Sequence, residues 1–153
     1  MTEKELKDLV VNQLKDNVRS YSIEDFPINI ADYMPSGSAG AILVKSIGRQ
    51  PVRYMMQGNI ADVLNFGDYI SVTYRIGLVI LASNITNQDE ILELTESVIN
   101  SIISIDTSDL MGAGSRFLLE MVQEVGYNVQ KGLLYRTLTF TLPCIEWADE
   151  MEN

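Results

Sequence analysis

The pattern that most constrains the fold is a long alternation of apolar and polar side chains over Asp68–Ser83. Successive side chains of a strand point to opposite faces, so the pattern predicts one long strand with a buried face. Beyond Gly77, Val79 and Leu81 make the other face apolar as well, and we expect this half to be covered on both sides. The alternating apolar residues are Ile70, Val72, Tyr74, Ile76, Leu78 and Ile80, and the polar ones are Ser71, Thr73 and Arg75.

Two other segments have apolar residues three and four positions apart, which predicts amphipathic helices over residues 3–18 and Asn87–Ser104. Thr2 and Glu5 have the spacing of a capping box at the start of the first helix. Asn87 is the expected cap of the second, whose first turns are acidic. The apolar stripes are Leu6, Leu9, Val10, Leu14 and Val18 in the first helix, and Ile91, Leu94, Val98 and Ile102 in the second.

The remaining segments predict shorter strands and connections. Residues 20–40 are irregular and compatible with a short strand around Pro27–Tyr33, whereas Ala41–Ile47 is typical of a buried strand. Two further strands are expected at the C-terminal end, joined by a hairpin-like connection at 128–132. These strands are Arg116–Tyr127, with Phe117, Leu119 and Met121 on one face, and Leu133–Ile145; Phe117, Met121 and Val125 would also suit a short helix.

The order of elements predicts a single α+β domain over residues 1–153, with a mostly antiparallel sheet and helices packed on one face. Residues 49–68 fit neither helical nor strand spacing, and we interpret them as an extended hairpin or arm. The acidic tail at 146–153 is expected to fray.

Composition excludes several classes of function. The chain has no histidine and one cysteine, Cys144, which removes histidine-dependent catalysis, zinc or haem sites with these ligands, and internal disulfides. With 11 basic against 21 acidic residues, the net charge is −10, which disfavours binding nucleic acid by neutralising phosphates. The charged N-terminus is unlike a signal peptide, and the apolar run Ile76–Ala82 is too short for a membrane span.

Candidate reactive groups have simpler structural interpretations. Asp89, Glu93 and Glu96 share a helix face and have the oxygen ligands of a hard cation, but no second carboxylate motif accompanies them. A solvated acidic face is the expected role. Residues 106–109 are interpreted as a linker, and Cys144 as a buried, inert thiol. We therefore expect no enzymatic activity, no metal and no cofactor.

The charges are distributed unevenly along the chain. Residues 1–60 hold seven basic and seven acidic groups, whereas 61–153 hold four and fourteen and so carry the whole net charge. The basic stretch 33–61, free of acids, suggests a docking element for an acidic surface. Either another copy binds it in a head-to-tail contact, which can close into a ring, or the arm folds back on its own domain. The predicted subunit contacts are Lys45, Arg49, Arg53, Tyr54, Met55 and Met56, with Asp89, Glu90, Glu93 and Glu96 as their acidic complement.

This layout resembles the tail-terminator proteins of tailed bacteriophages. The most similar phrases are Ser71-Val72-Thr73-Tyr74-Arg75 and Tyr135-Arg136-Thr137-Leu138-Thr139-Phe140. The resemblance implies a hexameric ring in the neck region of the virion, made in the host cytoplasm, which caps the tail tube and joins it to the head. Its partners would be the tail-tube protein and head–tail connector proteins, and DNA would pass through without specific binding.

Three other interpretations stay open at this stage. Head–tail stopper and tail-completion proteins have a similar layout. A small α+β adaptor would bind an acidic or peptide partner without forming a ring. An enzyme that uses carboxylates alone would respond to a metal or ligand with a shift in thermal stability.

Overall fold

A computed structural model describes residues 2–27, 34, 40–51, 69–83, 88–107, 116–129 and 131–147 of the 153-residue chain. These residues form an α+β fold, as predicted. The helices are α1 (Glu3–Asn17) and α2 (Asp89–Ile103). The strands are β1 (Ser22–Asp25), β2 (Gly40–Pro51), β3 (Tyr69–Ser83), β4 (Leu118–Val122), β5 (Gly126–Asn128) and β6 (Leu133–Trp147).

The strands form one sheet in the order β1-β2-β3-β6-β4, and β5 also pairs with β6. β1 and β2 are parallel, and every other described pair is antiparallel. The longest ladder joins β3 to β6 without interruption, from Tyr69 opposite Trp147 to Ser83 opposite Leu133. The predicted long strand therefore lies in the middle of the sheet, where both of its edges are paired.

Both helices pack on the same face of this sheet, which we call the helix-covered face. α1 lies against β1 and β2, and α2 lies against β3, β4 and α1. Their apolar stripes meet the alternating apolar residues of β3 and β6 in one core, which confirms the predicted layer arrangement. The largest fully buried side chains of this core include Tyr74, Phe117, Phe140, Leu6, Leu14, Ile76 and Ile102.

The two helices begin differently. The Thr2 hydroxyl accepts a hydrogen bond from the Glu5 amide at 3.1 Å, and the Glu5 carboxylate accepts one from the Thr2 amide at 3.3 Å. This confirms the predicted capping box. Gln88 occupies the N-cap of α2 and makes no side-chain cap bond, because its backbone (φ −79°, ψ −12°) is already helical. The cap predicted at Asn87 is therefore wrong.

Several predicted boundaries need correction. β1 was not predicted, and it lies before the strand expected around 27–33, of which residues 28–33 are outside the described residues. β2 continues to Pro51, so the first three residues of the predicted arm belong to a strand; residues 52–68 are outside the described part. β6 continues to Trp147 because it stays paired with β3, so the predicted tail starts too early.

The predicted strand at 116–127 is in fact two short strands, β4 and β5. A register shift between Leu119 and Met121 leaves an extra residue in β4. Leu119 lies opposite Phe140 and Met121 opposite Thr139, so the two side chains point to different faces and not to one face as predicted. The hairpin predicted at 128–132 is supported at its described ends: Asn128 pairs with Leu133, and the Gly132 amide donates to the Asn128 carbonyl at 2.8 Å; Gln130 lies outside the described residues.

Candidate interaction surface

The sheet face opposite the helices, which we call the open face, has two parts. Near the start of β2, Ala41, Leu43 and Leu81 are buried, and Phe26 and Val79 pack against them. This confirms that the second half of β3 is covered on both sides. Towards the other end of β2 and across to β4, the open face carries threonines and large exposed apolar side chains.

Three of these apolar side chains form what we call the open-face patch: Ile47, Leu118 and Met121. Their exposed fractions are 48%, 55% and 46%. Ile47 lies above β3, since a Cβ added to Gly77 would be 3.0 Å from the Ile47 Cδ1 atom. Gly77 is opposite Thr139, and Thr139 is opposite Met121. The patch thus spans four strands, a width of roughly 14 Å at the usual strand spacing.

Charged side chains border this patch. The Lys45 Nζ atom lies 4.5 Å from the centroid of the Phe26 ring. Arg75 pairs with Glu120 through a 3.2 Å contact and donates to the Gln50 side-chain oxygen at 3.4 Å. Arg75 and Glu120 are each 40% exposed, so water screens this ion pair and it holds the two side chains only weakly.

A bulge separates the two basic residues of β2 that the sequence groups together. The β2–β3 register shifts between Ser46 and Gly48, so Lys45 lies on the open face and Arg49 on the helix-covered face. Arg49 donates from Nε to the Tyr74 hydroxyl at 3.0 Å, and its guanidinium carbon is 5.8 Å from the Tyr74 ring centroid. Arg49 is therefore held by its own domain.

The remaining predicted contacts of the arm, Arg53, Tyr54, Met55 and Met56, lie outside the described residues. Their role stays a prediction.

The predicted acidic complement is exposed on α2. Asp89, Glu90, Glu93 and Glu96 occupy the first two turns, and Leu92 lies among them with 40% of its surface exposed. Burial, together with the nearby negative charge of Glu90, raises the pKa of Tyr21. In the ranges that the structure describes, no group of three or more acidic or cysteine side chains is arranged to hold a metal ion.

A shallow cleft of about 390 Å³ lies between the start of α1 and β2. Several of its polar groups contact one another. Lys7 contacts the Asp25 carboxylate at 3.1 Å, and the Ser46 hydroxyl donates to Glu3 at 2.7 Å. Cys144 is buried, as predicted, and its thiol donates to the Val72 carbonyl oxygen at 3.4 Å.

The open-face patch was missed in the sequence because its members come from different strands. Ile47 follows a buried apolar run and gave no separate signal. Leu118 and Met121 belong to a segment that is apolar on both faces, and this is the pattern that could have indicated an exposed apolar surface.

No protein-family model matches the chain, and comparison with characterised proteins finds no similar sequence. Neither helix in the described ranges is long and apolar enough to cross a membrane.

Proposed function

We propose that this chain is a non-enzymatic structural subunit that assembles into a ring, similar in role to a phage tail terminator. In that role the ring caps the tail tube, joins it to the head and remains in the neck of the virion. The open-face patch is the observation that carries the proposal. Exposed apolar side chains that project from β2 and β4 on the same face of the sheet are typical of a surface that another protein covers.

The layout of the fold supports the same role. A sheet built on three long strands, with both helices on one face, leaves the other face to make contacts between subunits. The end of β2 and the start of β3 flank residues 52–68, the segment expected to reach a neighbouring subunit or the tube.

The net charge of −10 is consistent with a channel through which DNA passes. A wall of the same sign as the phosphates repels them, which allows the DNA to slide without binding. Assembly must then overcome repulsion between acidic subunits, so the apolar patch and the few basic residues gain importance.

The first experiment is to measure the mass of the purified protein by light scattering at low and at moderate salt, alone and with tail tubes. A sixfold mass, or a monomer that forms rings on tubes, would support the proposal. Electron microscopy of the tubes would identify a ring at one end. A monomer that ignores tubes at every salt concentration would favour the adaptor interpretation.

Charge reversal tests the contribution of the arm. Arg53→Glu is preferred to a change at Arg49, because Arg49 bonds Tyr74 and its reversal would also disturb the core. We expect Arg53→Glu to weaken assembly while the unfolding transition stays unchanged. An oligomer of unchanged size would argue against the arm as a subunit contact.

A further inference from the structure

We propose that the open-face patch is covered by the first half of α2 from a second copy of this chain. This inference rests on the proposed function and specifies which two surfaces meet. The sheet already packs α2 on its helix-covered face, and the contact would place a second helix on the open face.

Size and apolar character fit this arrangement. The first two turns of α2, residues 89–96, extend over about 12 Å, which is close to the width of roughly 14 Å that separates β2 from β4 across the patch. Leu92 is an exposed apolar residue in the acidic half of the helix and would meet Ile47, Leu118 and Met121. An apolar centre with charged residues around it is the usual arrangement of a specific interface.

The charges of the two surfaces are complementary. Lys45 and Arg75 border the patch, and Glu120 is the carboxylate beside it; Glu24 lies further away on the edge strand β1. α2 carries four acidic residues and no basic one, namely Asp89, Glu90, Glu93 and Glu96. Two basic side chains against one carboxylate leave the border of the patch with a net charge of +1, so charge favours the acidic α2 over a second open face of the same sign.

Symmetry gives this contact a structural consequence. The patch and α2 lie on opposite sides of the same sheet, so each copy has one surface of each kind. A contact between two different surfaces is heterologous. Copies joined in this way form a closed ring when the rotations between successive copies add up to a full turn.

The test uses two variants of the full chain, each altered on one surface. Ile47→Glu places a charge in the open-face patch, and Leu92→Glu adds a fifth acid to the exposed side of α2. Both positions are partly exposed, and an unchanged urea-unfolding midpoint would show that each variant folds. Matched controls are Val129→Glu, at an exposed turn away from the patch, and Ile103→Glu, at the other end of α2.

We expect each of the two variants alone to associate at least about tenfold more weakly than the parent protein, and the controls to assemble normally. A mixture of the two should form dimers that grow no further, because each copy then has one intact surface. Light scattering of the mixture, on tail tubes if the parent needs them, measures this.

The outcomes separate the two proposals. A parent ring that both variants still form would overturn the inference and leave the proposed function standing. Loss of assembly with Ile47→Glu but not with Leu92→Glu would show that the patch contacts something other than α2. A parent protein that never assembles, with or without tubes, would overturn both.

Discussion

The two faces of the sheet are built from the same strands but pack very differently. On the helix-covered face, Tyr74 and Phe140 are fully buried in one continuous core. On the open face, the neighbouring positions are Arg75, Thr139 and Thr141, and the apolar residues around them stay half exposed. Because side chains alternate along a strand, each core residue of β3 and β6 is followed by a residue that faces the open side of the sheet.

This difference suggests how stability and interaction are divided in the molecule. The helix-covered face supplies the buried apolar area that stabilises the domain. The open face contributes less to folding, so its residues are free to be selected for contact with a partner. Changes on the first face should therefore alter unfolding, and changes on the second should alter association.

The largest expected effect is on the helix-covered face. Phe140→Ala removes a fully buried ring from the centre of the core, and we expect it to lower the free energy of unfolding by about 3–5 kcal/mol. Ile47→Ala, on the open face, should cost under about 1 kcal/mol, because half of that side chain is already in water. Urea unfolding of the monomer measures both. Equal losses would mean that the two faces do not differ in this way.

Two glycines provide the next test. A Cβ at Gly40, where φ is +133°, would lie 2.0 Å from the Leu81 carbonyl oxygen, so Gly40→Ala must move the backbone. We expect a loss of about 1–3 kcal/mol. The nearest atoms to a Cβ at Gly77, on the open face, belong to the Ile47 and Lys45 side chains, 3.0–3.4 Å away, and these side chains can shift.

We expect Gly77→Ala to stay within about 0.5 kcal/mol of the parent protein, since alanine also removes the entropic cost of glycine in a strand. Gly48→Ala is the control, as nothing lies within 4 Å of its added Cβ. Thermal or urea unfolding compares the three variants. A large loss at Gly77 would indicate that the open face is packed as tightly as the other.

Adjacent residues of β3 allow a smaller comparison. Tyr74→Phe removes the hydroxyl that accepts from Arg49 in a partly buried bond, and we expect a cost of about 1 kcal/mol. Arg75→Gln breaks the half-exposed pair with Glu120, and the expected cost is below about 0.5 kcal/mol. Chemical unfolding at low and high salt separates them, because screening should weaken only the Arg75 contribution. A larger loss of stability in Arg75→Gln than in Tyr74→Phe would contradict the assignment of Tyr74 to the packed face and Arg75 to the open face.

Much of this fold could be predicted because its signals are local. The alternation in β3 and the helical stripe of α1 repeat over 15 residues each, so one misplaced residue does not obscure them. The capping box at Thr2 involves positions only three apart. Short β1 was missed because four residues give too few repeats, and its pairing with β2 is a tertiary contact.

The interaction surface was predicted less well because it depends on register. Lys45 and Arg49 are four positions apart in a strand, which without a bulge would place them on one face. The shift near Gly48 separates them, and the shift after Leu119 likewise separates Leu119 from Met121. No local sequence pattern predicts either register shift. The open-face patch can therefore be identified only from the pairing of the strands in the structure.

The smallest expected effect concerns Tyr21, which packs at the edge of the helix-covered core. Burial and then the charge of Glu90 raise its pKa above the ordinary value near 10, because both disfavour the phenolate. The unfolded chain therefore ionises first, and this contribution to stability is complete below pH 10 and is lost as the pH rises further.

Tyr21→Phe should make the alkaline loss of stability slightly less steep, and Glu90→Gln should bring the pKa of Tyr21 closer to its usual value. The difference between the tyrosinate absorbance titrations of the parent and of Tyr21→Phe isolates this one group. Tyr135→Phe serves as the control. The Tyr135 ring is partly exposed and lies on the open face, whereas the acidic residues of α2 lie on the other side of the sheet. A Tyr21 pKa at or below the ordinary value would mean that water reaches the edge of the helix-covered face. The two faces would then differ less in burial than we propose.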